Sequence, residues 1–202
     1  MAVFPIFEGK LGEDITGHEA SVARHVANGT SVGFESPGAG AENNALGLED
    51  VNRCLIDAET GKCVASAFHP KKEMKIEAPK PDWAEQDPEQ WWANLILATN
   101  DVLQSAELDP SSIKAIGIAY QMHGLVLVDK NHELLRSSII WCDSRAVTYG
   151  DHAMKSLGEE RCLSHLLNSP GNFTASKLSW VIMNEPEVYE KAYKFMLPGD
   201  YI

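Results

Sequence analysis

The sequence has little positive charge. Lys and Arg number 17 against 29 Asp and Glu, a formal charge of −12. Binding nucleic acid or an anionic membrane requires a clustered basic footprint on phosphates, and the lone Lys71-Lys72 pair supplies none, so neither partner is expected. Cysteine is sparse as well. Cys54, Cys63, Cys142 and Cys162 show neither the paired spacing of a metal site nor the density of a disulfide scaffold. They read as reduced thiols of a cytoplasmic protein, and no metal ligand is assigned. No apolar run approaches the roughly 18 residues that span a bilayer. The first ten residues also lack the basic and apolar segments of a secretory leader.

What is present is a chain with 44% hydrophobic residues, enough for a core. Its composition changes near residue 46. Residues 1–45 are rich in Ala, Gly, Ser and Asn, with few large apolar side chains to offset the entropy of ordering. They read as an atypical, poorly ordered leader or linker. Within it a helix fits over 13–26, whereas 28–44, broken by Gly29, Gly33, Gly38 and Gly40, reads as loop.

Beyond residue 46 the pattern is crisp. Arg53 to Asp57 and Cys63 to Phe68 are short apolar runs around a turn containing Gly61, which predicts a hairpin. Asp87 offers an N-cap, Pro88 a first helical position and Gln90 a closing capping-box residue. The helix then places Trp91, Trp92, Leu95, Ile96, Thr99, Val102 and Leu103 on one apolar stripe. Residues 113–120 read as a strand buried on both faces. Residues 125–128 and 138–141 flank a turn at 129–132. Helices are predicted over 146–156, 158–167, 174–184 and 187–194, with a last strand over 195–197. The order implies an α/β domain with a mixed sheet, here over 46–202.

Candidate chemistry gathers after the buried strand, at the edge where open α/β sheets place ligands. Gln121-Met122-His123-Gly124 offers a thioether for the C–H face of a ligand, an imidazole for a hydroxyl, and a glycine for close backbone approach. Trp141 and Asp143 add an aromatic face and a carboxylate, a combination suited to a polyol. A core Trp with a structural Asp143–Arg145 pair explains the same residues, and Arg145 stands open between ligand contact and loop brace. Trp83, Gln86 and the acids Glu85 and Asp87 fit a structural role. Thr174 is a good N-cap residue, and Lys177 can face solvent or a cleft.

Four strings, in order, carry a resemblance: Trp83-Ala-Glu-Gln-Asp-Pro-Glu-Gln-Trp-Trp92, Ala119-Tyr-Gln-Met-His-Gly124, Ile139-Ile-Trp-Cys-Asp-Ser-Arg145 and Asn172-Phe-Thr-Ala-Ser-Lys-Leu178. Over about residues 51 to 202 the chain resembles the xylulokinase branch of the FGGY family of carbohydrate kinases. Asp82 and Asn172 stand where that family has Gly, Cys142 where it more often has Asn, and Ser176 where it has Pro. The resemblance implies an incomplete N-terminal domain of the ribonuclease-H-like fold shared with actin and hexokinase. It implies transfer of the ATP γ-phosphate to D-xylulose, giving D-xylulose 5-phosphate with Mg²⁺, and a homodimer among intact members. Gln121, Met122, His123, Gly124, Trp141 and Asp143 would bind the pentulose.

No catalytic residue is assigned, because the family's aspartate base is expected beyond Ile202. The family's phosphate turn, Gly-x-Asp-x-Gly-Thr-Ser-Ser-Val-Lys, is matched only by Leu46-Gly-Leu-Glu-Asp-Val-Asn52. Glu49 and Asp50 are the candidates for its acid, without the glycine turn or hydroxyls that cradle phosphate. The chain alone is therefore expected to hold ATP and Mg²⁺ poorly and to be inactive. The alternative is a non-catalytic sugar-binding or association module.

Overall fold

The computed structural model describes residues 30–34, 51–72 and 74–202. The helix expected over 13–26 and the acids Glu49 and Asp50 lie outside the described residues. The chain divides into two compact units, Met1–Met74 with Trp91–Tyr120, and Lys75–Gln90 with Gln121–Ile202.

The first unit is built on strands β1 (Thr30–Phe34), β2 (Val51–Asp57), β3 (Cys63–His69) and β5 (Ile113–Ile118), in the order β3-β2-β1-β5. The first three form an antiparallel meander, and β5 runs parallel to β1. The loop reading of 28–44 is therefore corrected at Thr30–Phe34. A strand there completes the hydrogen-bond ladders of both β2 and β5, which would otherwise face each other across a gap. Gly33, a strand breaker by propensity, sits in register between Cys54 and Gly117, where the ladder decides the conformation.

Helix α1 (Pro88–Ala106) begins as expected, with Asp87 Oδ1 accepting the Glu89 N–H at 3.0 Å and Pro88 in the first position. The seven-residue stripe splits, however. Trp91, Leu95, Ala98 and Val102 are buried, whereas Trp92 and Ile96 are each 43% exposed. The row 91, 95, 98, 102 follows one face of a 3.6-residue repeat, and 92 and 96 lie about 100° around it. Val102 and Ala106 pack with Leu55, Ala65, Ala67, Leu108 and Ile113, where small alanines let the helix sit close. Strand β5 alternates rather than being buried on both sides: Lys114 and Ile116 stay exposed.

In the second unit, β4 (Glu85–Gln86) pairs antiparallel with β7 (Ser138–Ile139), and β6 (Val126–Val128) with β8 (Lys194–Met196). Leu125 and Ile139 exchange backbone bonds of 2.9 and 3.2 Å, closing the expected return around Asp129. Asp129 Oδ1 accepts from the Asn131 and Glu133 N–H groups. Helices α2 (Val147–Leu157), α3 (Glu159–Leu166) and α4 (Thr174–Asn184) follow close to the expected bounds. Helix α5 (Pro186–Tyr189) is shorter than the 187–194 reading. The Tyr193 N–H bonds the Val128 carbonyl at 2.8 Å, and the chain from Lys194 is drawn into the ladder with β6. Helix α6 (Pro198–Tyr201) closes the described chain.

Leu125, Leu127, Ile139, Ala146, Trp180 and Val181 form this unit's core. Full burial of each large apolar side chain stabilises by about 1.5–3 kcal/mol. Gly150 of α2 packs on the turn Pro170–Asn172 so closely that a Cβ would lie 2.3 Å from Gly171 Cα. No helix among the described residues is long and apolar enough to cross a membrane.

Candidate functional site

The segment 121–124 leaves its strand in a conformation that needs support. His123 has φ +67°, a left-handed backbone that is uncommon outside glycine. The first turn of α4 grips it at three points. The Phe173 ring, just before the helix, stacks on the His123 imidazole with centroids 4.4 Å apart and planes 12° apart. Thr174 Oγ1 donates to the Gly124 carbonyl at 3.2 Å. Lys177, one turn on and fully buried, donates its Nζ to the His123 carbonyl at 2.9 Å and to the Asn172 carbonyl at 2.7 Å. Thr174 is thus the first helical residue rather than the N-cap, and its hydroxyl serves the loop.

Electrostatics follow from this burial. Desolvation lowers Lys177 to about 8, partly opposed by the nearby Asp143 and Cys142. Burial, and then the Lys177 cation, also hold the His123 imidazole below its ordinary value. A neutral imidazole offers one donor and one acceptor, the pair a hydroxyl needs. Gly124 is required by close packing, since a Cβ would lie 2.5 Å from Pro198 Cγ. The close approach is to the chain's own proline.

Gln121 joins this loop to the next. Its Oε1 accepts the Trp141 N–H at 3.2 Å, and its Nε2 lies 3.5 Å from the Gln86 Oε1. Met122 is half-buried, and the Trp141 side chain remains 36% exposed. Asp143 lies two residues on, but its carboxylate is wholly buried and turned inward. It accepts from the Ala84 N–H at 2.6 Å, from the Arg145 N–H at 2.9 Å and from the Arg145 guanidinium at 2.7–2.9 Å. Its acceptor positions are filled by the protein itself.

Arg145 is the brace. Its Nη1 lies 2.7 Å from Glu85 Oε1, and its guanidinium sits 3.7 Å from the Trp83 ring centroid. Trp83 in turn meets Trp180 edge-on at 5.2 Å. Arg136 extends the network by pairing with Glu85 and Glu185. The Asp82 carbonyl accepts the Ser144 N–H at 2.9 Å while Asp82 itself holds φ +65°. The family's Gly at that place is explained by a left-handed backbone, which Asp tolerates better than most residues. Ser176, in place of the family's Pro, donates to the Pro170 carbonyl at 2.7 Å.

The second unit therefore brings Gln121, Met122, His123, Gly124, Trp141 and Asp143 into two adjoining segments. It leaves an imidazole, a thioether and an indole on a rigidly bonded frame. Lys177 and Arg145, each open to a second role in the sequence, are central to that frame. The signal for Lys177 was its position one helical turn after Thr174, on the same face.

Comparisons with known proteins show the class of domain to which these elements belong. Residues 46–202 match the FGGY family of carbohydrate kinases, N-terminal domain. The chain belongs to that family. It is 38% identical over 159 residues to the xylulose kinase of Klebsiella pneumoniae, and 36% identical over 157 residues to that of Escherichia coli K12. Each match covers 78% of this chain and 31% of the relative, so the chain spans about a third of their length. Among solved structures, the xyloylose kinase of Brucella ovis superposes with a TM-score of 0.69 at 28% identity, over 86% of this chain and 33% of that one. The gluconate kinase of Lactobacillus acidophilus gives 0.68 at 25%, over 85% and 32%. The fold is the actin- and hexokinase-like one of these kinases.

Proposed function

We propose that this chain forms the ketose-binding part of a cytoplasmic xylulose kinase, which transfers the γ-phosphate of ATP to D-xylulose to give D-xylulose 5-phosphate. Segments 121–124 and 141–143 frame the sugar. Met122 packs on its C–H face, His123 exchanges hydrogen bonds with a hydroxyl, and Trp141 walls the polyol. Gln121, Gly124 and Asp143 contribute by fixing those three, Asp143 through Arg145. The observation that carries this reading is the left-handed His123, stacked on Phe173 and pinned through its carbonyl by Lys177. Structure is spent there on presenting one neutral imidazole.

Phosphoryl transfer also needs a triphosphate clamp, Mg²⁺ and a base. No described residue is assigned to these, and Glu49 and Asp50 remain the proposed acids of the clamp. The relatives are named xylulose kinases, which supports testing D-xylulose first, and a solved gluconate kinase has a similar fold. The test is calorimetric titration of the 202-residue chain with D-xylulose, D-gluconate and glycerol. Saturable heat with D-xylulose alone supports the reading. Preference for D-gluconate, or no binding of any of the three, contradicts it.

A further inference from the structure

Two thiols meet on the outer side of the β2–β3 hairpin. The Cys54 and Cys63 sulfurs are 3.0 Å apart, about 1 Å beyond the ~2.05 Å of a disulfide bond. Cys63 is exposed and Cys54 half-buried.

The hairpin itself creates this approach. Asp57 Oδ1 accepts both the N–H and the hydroxyl of Thr60 at 2.7 Å, and its carbonyl takes the Gly61 N–H at 2.8 Å. Gly61 holds φ +69°, the left-handed conformation the reversal requires. The ladder then runs Leu55↔Ala65, Cys54↔Ser66 and Arg53↔Ala67, but slips next to the turn so that Ile56 pairs with Cys63. Under strict alternation Cys63 would share the inward side with Ala65 and Ala67, which pack on Leu55. The slip, a bulge in the ladder, puts it instead on the side of Cys54.

We propose that Cys54 and Cys63 are a modification site, a thiol pair that a hydroperoxide closes to a disulfide. The Cys63 thiolate attacks one peroxide oxygen; an S–O bond forms, the O–O bond breaks, and the leaving hydroxide takes up a proton as water. The Cys54 sulfur then attacks the sulfenic sulfur; the S–S bond forms, and the S–O bond breaks with loss of a second water carrying the Cys54 proton. Two thiols and one hydrogen peroxide give one disulfide and two waters, the sulfurs losing the two electrons the peroxide gains. Exchange with a small thiol reverses the closure. Because the strands are already in register, closure locks the hairpin without refolding it. This inference is independent of the sugar site.

The experiment is mass spectrometry of the purified 202-residue chain after graded hydrogen peroxide, with thiol titration and peptide mapping. A monomer lighter by about 2 Da, with two fewer titratable thiols, a 54–63 crosslinked peptide and full reversal by dithiothreitol, is the expected result. The Cys142→Ser/Cys162→Ser double variant should behave identically, and Cys63→Ser should lose the crosslink. Sulfinic acid at Cys63 without a 54–63 peptide, a crosslinked dimer, or an unchanged 2 Da loss in Cys63→Ser overturns the proposal.

Discussion

The two units hold their shape by contrasting means. Among the described residues of the first, Arg53 is the single buried charge, and the rest of the buried interior is apolar: Leu55, Met74, Trp91, Leu95, Ala98 and Val102. The second buries Gln86, Ser138, Asp143, Arg145, Ser176 and Lys177 beside its apolar core. Burying charge is expensive, and a bonded polar network brings rigidity more reliably than it brings stability. This one is bonded around Asp143 and Lys177, while among the described residues Ser138 Oγ makes no hydrogen bond and Arg145 Nη1 meets Glu85 as an ion pair alone. The polar unit is the one that carries the candidate ligand loop. Its network serves geometry, whereas the first unit's sheet serves as a scaffold.

The sharpest way to break this contrast is to remove one charge from the network. Asp143→Ala leaves the Arg145 guanidinium buried without its bidentate partner, and should cost about 3–5 kcal/mol. Hydrogen exchange should show the loss around residues 82–86 and 139–146, with β2 and β3 keeping their protection. Leu55→Ala, a cavity in the apolar unit, should cost about 2–5 kcal/mol with the opposite pattern. Equal loss of protection in both units from either change would mean that the units do not differ as described.

Lys177 gives a smaller effect with a diagnostic pH dependence. Replacing it by Met strips bonds from the carbonyls of His123 and Asn172, at about 1–3 kcal/mol. Folding lowers this lysine from 10.5 to about 8. Between those values the unfolded chain holds a proton that the folded chain has released. Stability therefore rises with pH from about 8 to about 10.5 on account of this group. Urea titrations across that window should show the rise in the parent and its loss in Lys177→Met.

Asp82→Gly should give the smallest change. It relieves a left-handed non-glycine residue while keeping the carbonyl that Ser144 uses, so stability should increase by up to about 1 kcal/mol. Destabilisation instead would assign the Asp82 side chain a role that the backbone account omits.

These contrasts were unevenly legible in the sequence. The Asp87-Pro88 start of α1, the 53–68 hairpin and α4 could be read because local chemistry decides them: a cap, a fixed φ, a glycine turn. Strand β1 could not, because Gly33 interrupts a short run whose Thr30, Val32 and Phe34 favour a strand, and only the two waiting edges decide in that run's favour. The split of the α1 stripe and the exposure of Ile116 depend on which face has a partner, information that periodicity lacks. The six candidate ligand residues could be listed from motifs, but not the inward turn of Asp143. Nor could the burial of Lys177 be read: a lysine is ordinarily solvated, and only the two carbonyls it finds in the fold reverse that expectation.

The central claim is that the frame exists to present His123 to a ketose. It is tested most directly by titrating D-xylulose into the parent chain and into His123→Ala, with circular dichroism and urea midpoints confirming that both are folded. The account predicts affinity weakened by about tenfold to a hundredfold, equivalent to ~1–3 kcal/mol for a lost buried hydrogen bond. The variant should stay folded, at a stability lowered by about 1 kcal/mol through loss of the Phe173 stack and the left-handed alanine. Equal affinity in the two folded proteins would contradict it and make His123 a structural residue.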